Sequence, residues 1–353
     1  MVRNNKAAKS AARQRAQDGG NYTTALRRTL QEHSDNIESL EPQLDAPAPK
    51  GIDRSAREQI LARADERLDK LVGMANVKTQ IAQLRYRKRL DEELERRNLP
   101  RNVRSNHLVF EGPIGTGKVA IARIVADIYA ATGVCRIPKV VAVGRADLVA
   151  DHWGASGLKV RTVVESALGG VLFIDEAHTL MQTEGGQHDL LGQEAVEALL
   201  NEMTDHPDDL VVILSGGRRD ARRSLGMNGD LLSRFTTRID FETYTPEELA
   251  DIAEVLATAD GLHLEPEAKA AIVAAVRRMA RVTDENGTSM IDIAGNGRFA
   301  RNVIVRAAGA RWQQIGVGEI AALNDKELRT LNESDVSAAV SDIRAELVIG
   351  GVG

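Results

Sequence analysis

The segment Gly112-Pro113-Ile114-Gly115-Thr116-Gly117-Lys118-Val119 limits what this chain can fold into more than any other stretch. The apolar run His107–Glu111 leads into it, and Ala120–Ala131 follows with helical spacing of its apolar residues. In such a strand–loop–helix setting, backbone N–H groups turn inward around an anion, and the helix dipole adds positive potential. Lys118 adds a point charge where the outer phosphates of a nucleoside triphosphate such as ATP would lie. Seven of the eight positions of the phosphate-loop (Walker A) pattern are matched. The eighth is normally Ser or Thr, whose hydroxyl enters the Mg²⁺ shell. Here it is Val119, which has no oxygen to give. Mg²⁺ keeps water ligands readily, so a water can stand in, with the metal held less firmly.

A second segment completes the chemistry. Val171-Leu172-Phe173-Ile174-Asp175-Glu176 is four apolar residues ending in two carboxylates. A buried parallel strand delivers both to its C-terminal edge, where open α/β sheets bind ligands. Asp175 then holds Mg²⁺ through its water shell, and Glu176 polarises an attacking water as general base. Asp175-Glu176-Ala177-His178 also spells the DEAH box of helicases. A helicase of that type needs a second recombinase-like domain, whereas the sequence after Tyr244 reads as helix.

Around these segments the chain divides by pattern. Five short apolar runs (107–111, 139–144, 171–175, 210–215 and 238–241) are spaced mostly by helical stretches, which predicts a parallel sheet covered on both faces. Helices precede it, with a break at Gly73, and helices follow it, as the stripe Ile272, Ala275, Val276, Met279 indicates. The expected organisation is a basic arm and Pro-rich linker over 1–52, a helical linker over 53–100, an α/β core over 101–245, a helical domain over 246–348 and a tail over 349–353. The arm carries seven basic residues against Asp18 in its first thirty positions, and Pro42, Pro47 and Pro49 close it. It reads as a solvated tail or as a grip for nucleic acid or an acidic partner. The whole chain has a net charge of −5 and only 3% aromatic residues, which argues against a nucleic-acid coat or a long stacking platform. The single cysteine, Cys135, excludes an internal disulfide framework. No apolar run approaches membrane-spanning length, and the basic N-terminus lacks the apolar stretch of a secretory signal, so a cytoplasmic setting is expected.

The order of these motifs resembles the AAA+ ATPases, and within them the CbxX/CfxQ family, which includes red-type Rubisco activases and the EccA-type ATPases of type VII secretion. The resemblance is carried by Leu68-Asp69-Lys70-Leu71-Val72-Gly73, the phosphate loop, Arg145-Ala146-Asp147-Leu148-Val149, and Glu165-Ser166-Ala167-Leu168-Gly169-Gly170 running into Val171–Ala177. It continues through Asp209–Ile213, Leu232-Ser233-Arg234-Phe235 and Gly295-Asn296-Gly297-Arg298. It covers about residues 65–345 and leaves the helical-repeat N-terminal domain of the EccA type without a counterpart.

The resemblance implies a P-loop core with a helical lid and a homo-oligomeric ring, commonly a hexamer, with ATP and Mg²⁺ between subunits. Gly112 through Val119 would bind ATP. Arg234 matches the arginine finger that reaches a neighbour's γ-phosphate; the alternative is a surface ion pair. Arg298 matches the lid's sensor arginine, with Arg301 as competitor. The fourth strand ends in Ser215 where many relatives have asparagine, which makes Ser215 the candidate to orient the water. His152 and Trp153, in a Gly-flanked loop after the second strand, fall where related rings grip a polypeptide in the pore; ordinary packing is the alternative. Cys135 is expected as a small packing residue, His178 as satisfied by local hydrogen bonds, Trp312 as part of the lid core, and 91–97 as a solvated charged face.

Three functions remain open on this reading: an ATP-driven ring that remodels or threads a protein, a nucleotide-binding assembly module with weakened hydrolysis, and a nucleic-acid-associated ATPase that uses the arm.

Overall fold

The computed structural model describes residues 52–100, 105–181, 183–184, 187–218, 229–314 and 324–349. The basic arm up to residue 51 lies outside the described residues. Helix α1, Arg54–Lys70, starts at Asp53, whose Oδ1 accepts from the N–H of Ala56 at 2.8 Å. Gly73 and Met74 take positive φ values of 62° and 56°, which ends the first helical run and starts α2, Ala75–Arg96, in a new direction. Val77, Ile81 and Leu84 form the buried face of α2.

The sheet comprises β1 (Leu108–Glu111), β2 (Val140–Val143), β3 (Val171–Ile174), β4 (Val211–Gly216) and β5 (Thr237–Asp240). All neighbours pair in parallel, in the order β2-β3-β4-β1-β5. The three inner strands are buried at every position, which is why they read as unbroken apolar runs. Side chains alternate between the faces. Phe110, Val171 and Phe173 pack with Ile121, Val125 and Ile128 of α3 (Lys118–Ala131) on one side. Val109, Leu172 and Ile174 pack with Val160 and Val164 of α4 (Ser156–Ala167) and Leu199 of α5 (Leu190–Asp205) on the other. The buried carboxylate of Asp127 on α3 is met by Arg67 at 2.9 Å and Arg63 at 3.6 Å, which ties α1 to the core. Cys135 is buried, and desolvation pushes its thiol up to about 12, so it is a packing group rather than a reactive one.

A capping box opens the lid. Thr245 Oγ1 accepts from the Glu248 N–H at 3.1 Å, and Glu248 Oε2 from the Thr245 N–H at 2.8 Å. Helices α6 (Pro246–Ala259), α7 (Pro266–Met279), α8 (Gly297–Gln314) and α9 (Glu333–Ile349) enclose a second core around Leu249, Ile272, Phe299, Val303 and Val336. Two details correct the sequence expectation. His263–Leu264 pairs in parallel with Thr330–Leu331, a bridge too short to leave any periodicity. Trp312 is 60% exposed rather than part of the lid core, because the inward stripe of α8 is Phe299, Val303, Ile304 and Ala307.

Candidate functional site

The phosphate loop leaves β1 at Gly112, whose N–H donates to Gly216 O at the end of β4 at 3.0 Å. Residues 112–115, 117 and 118 line a cleft of about 1020 Å³, with Val119 and Ala120 beside them. Thr116 is buried instead, its hydroxyl donating to Pro113 O at 2.8 Å. Asp175, Glu176 and His178 form a further part of the wall, and Asp292, Ile293, Arg298 and Arg301 bring in the lid.

Lys118 is 9% exposed, and its ammonium donates to Gly112 O at 2.9 Å and Pro113 O at 2.7 Å. Burial pulls its pKa down to about 8; Asp175 opposes that shift, Arg298 adds to it, and Glu176 opposes it more weakly. The sign follows directly. Above pH 8 the nucleotide-free chain increasingly lacks the proton that a polyphosphate needs on Lys118, so binding must take one up. ATP affinity is therefore expected to fall about tenfold between pH 7 and pH 9. Calorimetry across that range, with proton uptake read from buffers of different ionisation heat, measures it; a flat profile contradicts it.

Asp175 stands one residue beyond β3. Its Oδ1 accepts from Ser215 Oγ at 2.9 Å and from the Glu176 N–H at 3.1 Å, which leaves Oδ2 for a metal's water shell. Glu176 is exposed and has φ of 47°. Among the described residues no group of three or more acids, histidines or cysteines could cage a metal. Asp175 in the cleft wall beside the phosphate loop suits Mg²⁺ carried by phosphate oxygens and waters with one carboxylate alongside. Val119 contributes no oxygen, as the sequence indicated. His178 departs from expectation: its Nδ1 is buried without a hydrogen-bond partner beside the cleft.

The lid meets the backbone carbonyls of the loop. The Gly297 N–H donates to Gly115 O at 3.1 Å, and Asn296 Nδ2 donates to Ile114 O at 3.2 Å and Asp292 Oδ1 at 3.0 Å. Asp292 Oδ1 also accepts from Thr243 at 2.8 Å, on the segment after β5. Gly115 has φ of 73°, and a Cβ there would lie 1.8 Å from Gly295 O. Gly115→Ala is expected to cost at least about 2 kcal/mol, since it combines left-handed strain with a backbone clash. A lowered urea midpoint would show it; an unchanged midpoint would mean the lid does not dock on the loop.

Arg298 and Arg301 both line the cleft, so geometry alone does not choose between them. Arg234 is not in the wall of its own cleft. It ends a short helix, Gly229–Arg234, and its Nη2 donates to Thr204 Oγ1 on α5 at 2.9 Å. Nearby, His107 accepts from the Val212 N–H at 3.0 Å, and burial, then the Arg234 charge, holds its pKa down at about 4. His152 is exposed and Trp153 is 68% exposed. Their loop is anchored from α5, where Glu194 accepts from the Gly154 N–H at 3.0 Å and the Gly157 N–H at 3.2 Å. Sequence reading missed Thr243, Asp292 and Asn296, and Thr288 in the cleft wall; only Asn296 lay inside a quoted motif.

A sheet in this order, with a phosphate loop after β1, between β4 and β5, and a helical domain docked on that loop, defines a P-loop ATPase with a lid. A family model described as "ATPase family associated with various cellular activities (AAA)" matches residues 108–243, and one described as "AAA lid domain" matches 245–345. The chain belongs to that ATPase family, and its modules are of the EccA-like kind. It is 40% identical over 304 residues to the ESX-1 secretion system protein EccA1 of Mycobacterium leprae, covering 86% of this chain and 53% of that protein. It is 37% identical over 313 residues to the ESX-3 secretion system protein EccA3 of Mycobacterium tuberculosis, covering 86% and 49%. The chain thus spans about half the length of these relatives. Among solved structures, the FIGL-1 AAA domain in complex with ADP superposes with a TM-score of 0.54 at 19% identity, over 86% of this chain and 97% of that one, a likeness of fold.

Proposed function

We propose that this chain binds ATP with Mg²⁺ between subunits of a homo-oligomeric ring, a hexamer, and uses hydrolysis to remodel or thread a protein partner in the cytoplasm, in a type VII secretion setting. The observation that carries the reading is the division of the catalytic groups. Lys118, Asp175, Glu176 and the lid arginines share one cleft, whereas Arg234 lies outside it and is available to a neighbour. In this reaction, Lys118 neutralises the outer phosphates, Asp175 steadies the metal's water shell, and Glu176 takes the proton of the attacking water. The neighbour's Arg234 stabilises charge as the γ-phosphoryl separates from ADP. The secretion setting rests on the likeness to the EccA proteins. His152 and Trp153 are proposed to grip the polypeptide, since a large exposed aromatic in a glycine-flanked loop is suited to contact. The helices described include none long and apolar enough to cross a membrane.

Mass photometry with and without ATP, run beside a phosphate-release assay, tests the proposal. ATP-dependent growth to a ring with turnover supports it; a monomer that turns over ATP equally well at all concentrations contradicts it. A second reading, a nucleotide-bound assembly module with slow hydrolysis, is favoured by Val119 in the cleft wall. Ring growth without phosphate release would select it.

A further inference from the structure

Resting on the ATP-binding reading above, the question is what replaces the hydroxyl absent at position 119. That position starts the helix after the loop, and Val119 lines the cleft. A Ser or Thr there would approach the metal from the loop side. On the opposite, strand side, β3 and β4 pair with Ile174 opposite Leu214. Asp175, just past the end of β3, therefore comes beside Ser215 of β4. Ser215 is 1% exposed, and its Oγ donates to Asp175 Oδ1 at 2.9 Å. A serine hydroxyl has one proton. Directed at Asp175, that proton cannot also be donated to an attacking water, so the hydroxyl's one donor serves the carboxylate on the metal side.

We propose that Ser215 takes over from position 119: it is a positioning residue that fixes the Asp175 carboxylate for the Mg²⁺ of Mg·ATP from the strand side of the cleft. The hydroxyl has moved across the site rather than been lost. Hydrogen bonds to a carboxylate oxygen are the stronger kind, and Ser215 itself is buried, so its bond holds the carboxylate's direction. Threonine matches valine in shape but adds a hydroxyl, and Val119 packs against the core beneath α3, so folding of Val119→Thr is checked by circular dichroism alongside the titration.

The test is a double-mutant cycle over Ser215→Ala and Val119→Thr. Its readout is the Mg²⁺ concentration that half-maximally tightens binding of a fluorescent ATP analogue, measured by equilibrium titration and not by turnover. Ser215→Ala is expected to raise that concentration about tenfold. Val119→Thr is expected to lower it at least about fivefold more in the Ser215→Ala background than in the parent chain. Ser215→Thr, which keeps the hydroxyl, should resemble the parent. If Ser215→Ala does not fold, as judged by circular dichroism, the near-isosteric Ser215→Cys takes its place in the cycle. Equal effects of Val119→Thr in both backgrounds overturn the proposal while leaving ATP binding intact. A folded parent chain that takes up no nucleotide overturns both the proposal and the reading beneath it.

Discussion

Glu176→Gln is expected to lower ATP turnover at least about a hundredfold while ATP still binds. The change keeps the size of the side chain and removes only its basicity. The backbone at this residue already has φ of 47°, and glutamine meets no more difficulty there than glutamate does. The Glu176 N–H bond to Asp175 also survives, so the metal-side carboxylate keeps its hold. What disappears is the acceptor for the water's proton. Phosphate release and calorimetric ATP titration on the same preparation separate the two effects. Turnover unaffected by the change would remove Glu176 as base and with it the proposed division of roles in the cleft.

Arg234→Ala is expected to lower turnover by about a thousandfold, the usual weight of an arginine that meets the transferring phosphoryl group. ATP binding to the isolated subunit should change far less, because Arg234 is not in the wall of its own cleft. The decisive experiment is mixing. An Arg234→Ala subunit retains Glu176, and a Glu176→Gln subunit retains Arg234. Where the first holds nucleotide and the second is its neighbour, a complete site forms. Two preparations that are each inactive should regain turnover when combined in the presence of ATP. If the mixture stays as inactive as its parts, Arg234 does not act on a neighbour.

Much of this site was legible in the sequence because it lies on short, continuous segments. The phosphate loop and the Val171–Glu176 strand each declare a strand end and a ligand within a few residues, and inner strands buried on both faces leave runs with no polar interruption. The lid's share was harder to see. Asn296 meets Ile114 across 182 positions of sequence, braced by Asp292 and through it Thr243, and no local pattern encodes that approach. Trp312 was misjudged because a large apolar residue in a helix suggests burial, whereas the inward stripe of α8 leaves that position facing solvent. His178 was expected to find a partner, and its buried Nδ1 has none. Ser215 was noticed for its place at a strand end; its partner is set by the register of two strands, which the sequence does not display.

Helix α5 bears on both ends of the proposed cycle. Glu194, near its start, holds the loop that carries Trp153, and Thr204, near its finish, holds Arg234. Ten residues of helix separate these anchors, roughly 15 Å of stiff backbone. An arm joined at both ends in this way suits a connecting rod: in the proposed ring, a tug on the guanidinium from the adjoining protomer would travel along α5 towards the indole at the far end.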